Sequence, residues 1–178
     1  MDRSGGAGGV FGQALVDGTF AATAAAQEGK IPITTKSEEA RQQYLLGRDL
    51  LEKLRGTDAR EHFQKAAAAD KEFALAQLGL ANSATSAKEF FEALKQATSL
   101  AAKASEAERH LILGLDAGTR GDPAGQKSHY DQLTAAFPQD ERAQNLLGGY
   151  HFGRQEYDQA IATYQKAIAV NPAFSQPY

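Results

Sequence analysis

From Ser37 onward the sequence repeats itself at a period near 34 residues, and nothing else in the chain constrains its fold as strongly. Leu46, Leu80, Leu113 and Leu147 recur at spacings of 34, 33 and 34, each followed by a very small residue: Gly47, Ala81, Gly114 and Gly148. Twelve residues after each small residue comes Ala59, Ala93, Gln126 or Ala160, and four further on Phe63, Ala97, Tyr130 or Tyr164. Three residues beyond lie Ala66, Leu100, Leu133 and Ala167, and the units close at Lys71, Ser105, Pro138 and Pro172.

Spacings of four and seven place the second-helix small residue, the aromatic and the next small residue on one helical face. A small residue in the first helix of a pair lets the second approach closely, and the aromatic fills the remaining space. The breakers agree. Asp122-Pro123 caps and opens a helix, Ser105-Glu106-Ala107-Glu108 reads as a capping box, Gly56-Thr57 as a stop and restart, and Asn171-Pro172 as an end. The expected helix pairs are about 39–54 with 57–70, 73–86 with 88–103, 106–119 with 122–136, and 140–153 with 156–170.

This register resembles the tetratricopeptide repeat family, most closely in LLGGYHFGRQEYDQAIATYQKAIAVNP from Leu146 to Pro172, and within the family bacterial proteins of unassigned role. The resemblance implies an all-α fold: a right-handed α-α superhelix of about four helix-turn-helix units, at about 40–73, 74–106, 107–140 and 141–174. Its second unit is the weakest, with Ala97 in the aromatic place and Ser105 in the proline place. The bulky aromatic that opens each unit in the family is replaced by Gln43, Gln77, His110 and Gln144, which predicts looser packing between pairs.

Residues 1–36 read differently, as a flexible or loosely docked segment ahead of a solenoid at 37–178. Ala24-Ala25-Ala26 resembles an export cleavage site, but Gln13 and Asp17 interrupt the apolar run such a signal needs. Gly5-Gly6-Ala7-Gly8-Gly9 lacks the flanking strand and Lys-Ser/Thr of a phosphate loop. Residues 175–178 open a fifth unit without a polar capping helix, so the last pair is expected to be truncated or covered by a neighbour.

A charge of −3, from 19 basic and 22 acidic residues, gives no field that would draw in a phosphate backbone, so nucleic acid is not expected as a partner. The absence of cysteine removes disulfides and thiolate chemistry. No stretch approaches a membrane span, so the chain reads as soluble, with cytoplasmic and exported locations both open. His62, His110, His129 and His151 show no metal spacing, and Glu38, Glu39, Asp131, Asp140 and Glu141 sit near helix starts or on outer faces. No catalytic constellation emerges, no cofactor is implied, and an enzyme is not expected.

The resemblance places function on the concave wall formed by the first helices, where a protein or peptide partner would bind. The partner-binding candidates are Arg41, Tyr44, Arg48, Leu78, Asn82, Leu111, Arg142, Asn145 and Phe152, with Leu51, Leu75, Glu108, Leu115 and Gly149 also facing inward by register. Arg41, Tyr44 and Arg48 share a face and could grip a carboxylate, although paired arginines are commonly just a solvated surface. The family's carboxylate clamp for chaperone tails is not matched, since its places carry Tyr44, Arg48, Gly79, Glu108 and Ile112. The leading expectation is an interaction scaffold. A self-assembling subunit that stacks through its uncovered ends and N-terminal segment is the alternative, and a repeat domain belonging to a larger protein is the third reading.

Overall fold

The computed structural model describes residues 29–174. The export-signal and phosphate-loop motifs and the start of a fifth unit lie outside them. The described chain is a right-handed superhelix of four antiparallel helix pairs: α1 (Glu38–Glu52) with α2 (Gly56–Ala69), α3 (Ala74–Asn82) with α4 (Ala87–Leu100), α5 (Glu106–Thr119) with α6 (Pro123–Ala136), and α7 (Glu141–Gly153) with α8 (Tyr157–Val170).

Five of the eight described helices, α1, α4, α5, α6 and α7, start at a side-chain cap. Ser37 accepts from Ala40 N, Ser86 from Glu89 N, Asp122 from Gly125 N, and Asp140 from the backbone of Arg142 and Ala143. Ser105 and Glu108 form the full capping box, and Pro123 sits in the first turn of α6. Each cap satisfies a backbone donor that the first helical turn leaves unpaired.

Within a unit the second-helix ring lies directly on the first-helix glycine. A β-carbon at Gly47 would fall 2.8 Å from Phe63 Cε1, one at Gly148 would fall 2.5 Å from Tyr164 Cε1, and one at Gly114 would press closer still on Tyr130. Phe63 is enclosed from both sides, because Gly79 of α3 meets the same ring. In the third unit Gln126 stands where the register has alanine, and Gly118 makes room for it. Unit two has Ala97 in the aromatic place. There a 3₁₀ turn at Ala101–Lys103 finishes the second helix.

Helix α3 stops at Asn82, short of the expected 86. Ser83 turns its hydroxyl back to the Gly79 carbonyl, and Ser86 caps α4, so these serines compete with helical hydrogen bonding. The other three units turn alike. Arg55, Asp122 and Glu156 each donate a backbone N–H to a carbonyl five residues earlier, at Leu50, Ala117 and His151. That geometry puts the preceding residue in the left-handed region: Leu54 at φ 60°, Gly121 at 73° and Gln155 at 62°. Only Gly121 adopts it without steric cost.

The residues that stand in place of the opening aromatic make a polar contact across their helix pair in two units. His62 Nδ1 lies 2.8 Å from Gln43 Oε1, and His110 Nδ1 lies 2.9 Å from His129 Nδ1. The histidine pair requires one ring to donate and the other to accept, so both cannot be protonated. Burial, then the neighbouring His129, pushes His110 below its ordinary 6.5; Arg109 acts in the same direction and Glu106 against it.

Three outcomes are expected from denaturation followed by circular dichroism. Gly114→Ala should lose about 1–2 kcal/mol, because the clash with buried Tyr130 outweighs the gain in helix propensity. Leu54→Gly should gain up to about 1 kcal/mol, because left-handed strain of about 1–2 kcal/mol exceeds the entropy glycine adds. Because the folded state resists protonating His110, the melting temperature should fall as pH drops from 7.5 towards 5. His129→Gln, which keeps an acceptor but removes the second ring charge, should flatten that fall. An unchanged pH profile would refute the assignment.

Candidate functional site

The first helices of all four units converge on one cavity of about 150 Å³. Tyr44, Arg48, Leu51 and Glu52 come from α1, Leu78, Gly79 and Asn82 from α3, Leu111 and Leu115 from α5, and Arg142, Asn145 and Leu146 from α7, with Phe63 as the one contribution from a second helix. Their placement follows from the 3.6-residue period: Tyr44, Arg48 and Leu51 share one face of α1, as Leu111 and Leu115 share one of α5.

An ion pair closes the wall on itself. Arg142 Nε donates to Glu52 Oε1 at 2.6 Å, joining the first unit to the fourth across 90 residues of chain. Arg48 approaches the same carboxylate oxygen at 3.8 Å, and Arg142 also reaches Glu141 Oε1 at 3.0 Å. The Tyr44 ring packs between Phe63 and Phe73, with centroids 5.8 and 5.2 Å away, while the Arg48 guanidinium lies 6.0 Å from its centre. Burial raises the Tyr44 hydroxyl above its ordinary 10.0 despite Arg48 and Arg142 nearby, so it stays a neutral donor at physiological pH. Burial works against Arg142 too, but Glu52 first, then Glu141 and Asp140, lift its guanidinium above its ordinary value.

Seven of the nine residues singled out from the sequence line this cavity: Tyr44, Arg48, Leu78, Asn82, Leu111, Arg142 and Asn145. Phe152 does not. It is 60% exposed at the far end of α7, stacked edge-on against Tyr157. Arg41 turns the other way, donating to the Ile33 carbonyl at 2.6 Å and lying near Glu38, so it does not converge with Arg48 on a common anion. Glu52, Phe63 and Leu146 were not singled out. Glu52 could have been suspected from its place four residues after Arg48, but its partner at position 142 could not.

Ile33 belongs to a segment that precedes α1 and lies against later units. Ile31 N–H donates to Asp140 Oδ2 at 2.9 Å and Thr34 N–H to Glu108 Oε1 at 2.6 Å. The Thr35 hydroxyl meets Asp70 Oδ2 at 2.5 Å, and Lys30 pairs with Glu141. Burial tends to raise the Glu141 carboxyl, but Lys30, a backbone N–H, Arg142 and Asn171 together hold it down at about 2.

No group of three or more metal-ligating side chains occurs among the described residues, and no described helix is long and apolar enough to cross a membrane.

The tetratricopeptide repeat pattern matches residues 44–108 and 113–175. The crystal structure of PilW, a widely conserved type IV pilus biogenesis factor, is similar with a TM-score of 0.50 at 18% identity, over 78% of this chain and 64% of that one. The likeness therefore spans less than two thirds of PilW. A crystal structure of MamA gives a TM-score of 0.40 at 21% identity, over 75% of this chain and 78% of its own. No curated protein matches. Two family matches covering well over half of the sequence agree with the ring-on-glycine units of the fold, and the chain belongs to the tetratricopeptide repeat family.

Proposed function

We propose that this chain is a non-catalytic interaction scaffold whose concave cavity receives one apolar side chain of a partner peptide or domain. The observation that carries the reading is the convergence of all four first helices on a single cavity walled by Leu51, Leu78, Leu111, Leu115, Leu146, Tyr44 and Phe63. At about 150 Å³ it is smaller than the roughly 300–1,000 Å³ of pockets that hold drug-sized ligands or cofactors. A dry apolar cavity of about that volume accepts a benzene-sized group, which is the scale of a leucine or phenylalanine side chain.

Arg48, Glu52, Arg142, Asn82 and Asn145 surround this apolar centre, an arrangement of central anchor and polar rim common to protein interfaces. Partner segments with a leucine or phenylalanine flanked by polar residues fit best. A stacking subunit is the second reading, favoured by Phe152, Tyr157 and Ile161, which are more than half exposed on the last unit.

Peptides selected from a random library on the immobilised full chain, then titrated calorimetrically, test the first reading. They are expected to share one large apolar residue and to lose at least about tenfold in affinity, or about 1.4 kcal/mol, against Asn82→Arg at the cavity mouth. Equal binding to Asn82→Arg and to Leu115→Lys would refute it. Concentration-dependent assembly by light scattering, abolished by Ile161→Lys, would favour the second.

A further inference from the structure

Residues 30–35 form no helix, yet they are held at four places, by Asp70 at the end of α2, Glu108 of α5, and Asp140 and Glu141 at the start of α7. Ile33 packs on the core cluster that includes Ala40, Phe73, Leu75 and Ile112, and Ile31 on the separate cluster of Ala107, Leu133 and Ala143. Between them Pro32 lines a different cavity, of about 520 Å³, beside His110 and Phe137. The alternation of Ile31, Pro32 and Ile33 is that of an extended peptide, which the proline also favours in the residue before it.

The receiving groups are arranged for such a peptide. Asp140 uses Oδ1 to cap α7 and turns Oδ2 to Ile31 N–H. Glu108 uses Oε2 to close the capping box of α5 and turns Oε1 to Thr34 N–H. Each carboxylate thus serves its helix with one oxygen and presents the other to a passing backbone. Both residues are only 1% exposed with the segment in place. Asp70 and Glu141 extend the row, so the rim carries four carboxylates in a chain whose net charge is only −3.

We propose that this acidic rim is a second recognition site, for a partner segment with a lysine or arginine followed by branched apolar residues at the next and third positions, and that residues 30–35 occupy it in cis. It shares none of its receiving carboxylates with the cavity between the first helices. Lys30 supplies the cation, Ile31 and Ile33 the apolar anchors, and two backbone N–H groups the register. Among the described residues the segment continues into the fold only through Lys36 and Ser37, and a non-helical stretch of this kind opens locally more readily than packed helices do. Tethering gives it a high effective concentration, so a free peptide competes poorly until the tethered copy is weakened.

The test is fluorescence anisotropy of a labelled peptide with the sequence of residues 29–36, titrated with the full chain and its variants. Ile31→Asp combined with Ile33→Asp weakens the segment and leaves the rim intact. Thr34→Pro removes the N–H given to Glu108 while leaving both isoleucines in place, and decides the matter if the double variant loses its helical circular dichroism. The weakened chains should bind the peptide at least about tenfold more tightly than the unaltered chain. Adding Asp140→Asn, which still caps α7, should erase the gain. Folded variants that bind the peptide no better than the unaltered chain, or bind a scrambled peptide equally well, would make the segment a fixed part of the fold and overturn the proposal.

Discussion

Everything in this molecule depends on how closely the two helices of a unit can approach. At Gly47, Gly114 and Gly148 a ring from the second helix occupies the volume a β-carbon would need. The approach is favourable because the ring gains dispersion contacts over a bare backbone and leaves no void. Once each pair has this separation, stacking pairs at a constant offset generates a superhelix, since each unit contacts chiefly its neighbours. Unit two lacks the ring, and it is there that the first helix is short.

Curvature then brings distant parts of the chain together. The pair between Glu52 and Arg142 links the first and fourth units and closes the inner wall around a small apolar cavity. Two oppositely charged groups that are partly removed from water hold one another in place, and removing either would leave the other poorly compensated. The segment ahead of α1 adds a second tie, running from Asp70 to Glu141 across the intervening units. Nearest-neighbour packing alone would let a solenoid flex, whereas these two ties connect units that are not adjacent.

The polar positions have a local logic. Residues 43 and 110, which replace the usual aromatic, reach across to His62 and His129 and so keep the pair joined where an aromatic contact is lost. Asp140 and Glu108 cap their helices as the sequence implies, but Glu108, which the register also placed on the inner wall, turns its second oxygen to residue 34, as Asp140 does to residue 31. Arg41, on the face expected to bind a partner, is engaged by this same segment.

The periodic spacing of small and aromatic residues determined by itself that the chain is a solenoid of helix pairs and where most turns and caps fall. Local rules suffice for those properties, because a helix face and a cap are set by residues three or four positions apart. Sequence could not show that Glu52 meets Arg142, that residues 30–35 lie on the rim, or that Phe152 points away from the cavity. Those depend on the rotation accumulated between units, and only the tertiary structure adds up that rotation, because small offsets at each junction decide which residues of the first and last units come within reach.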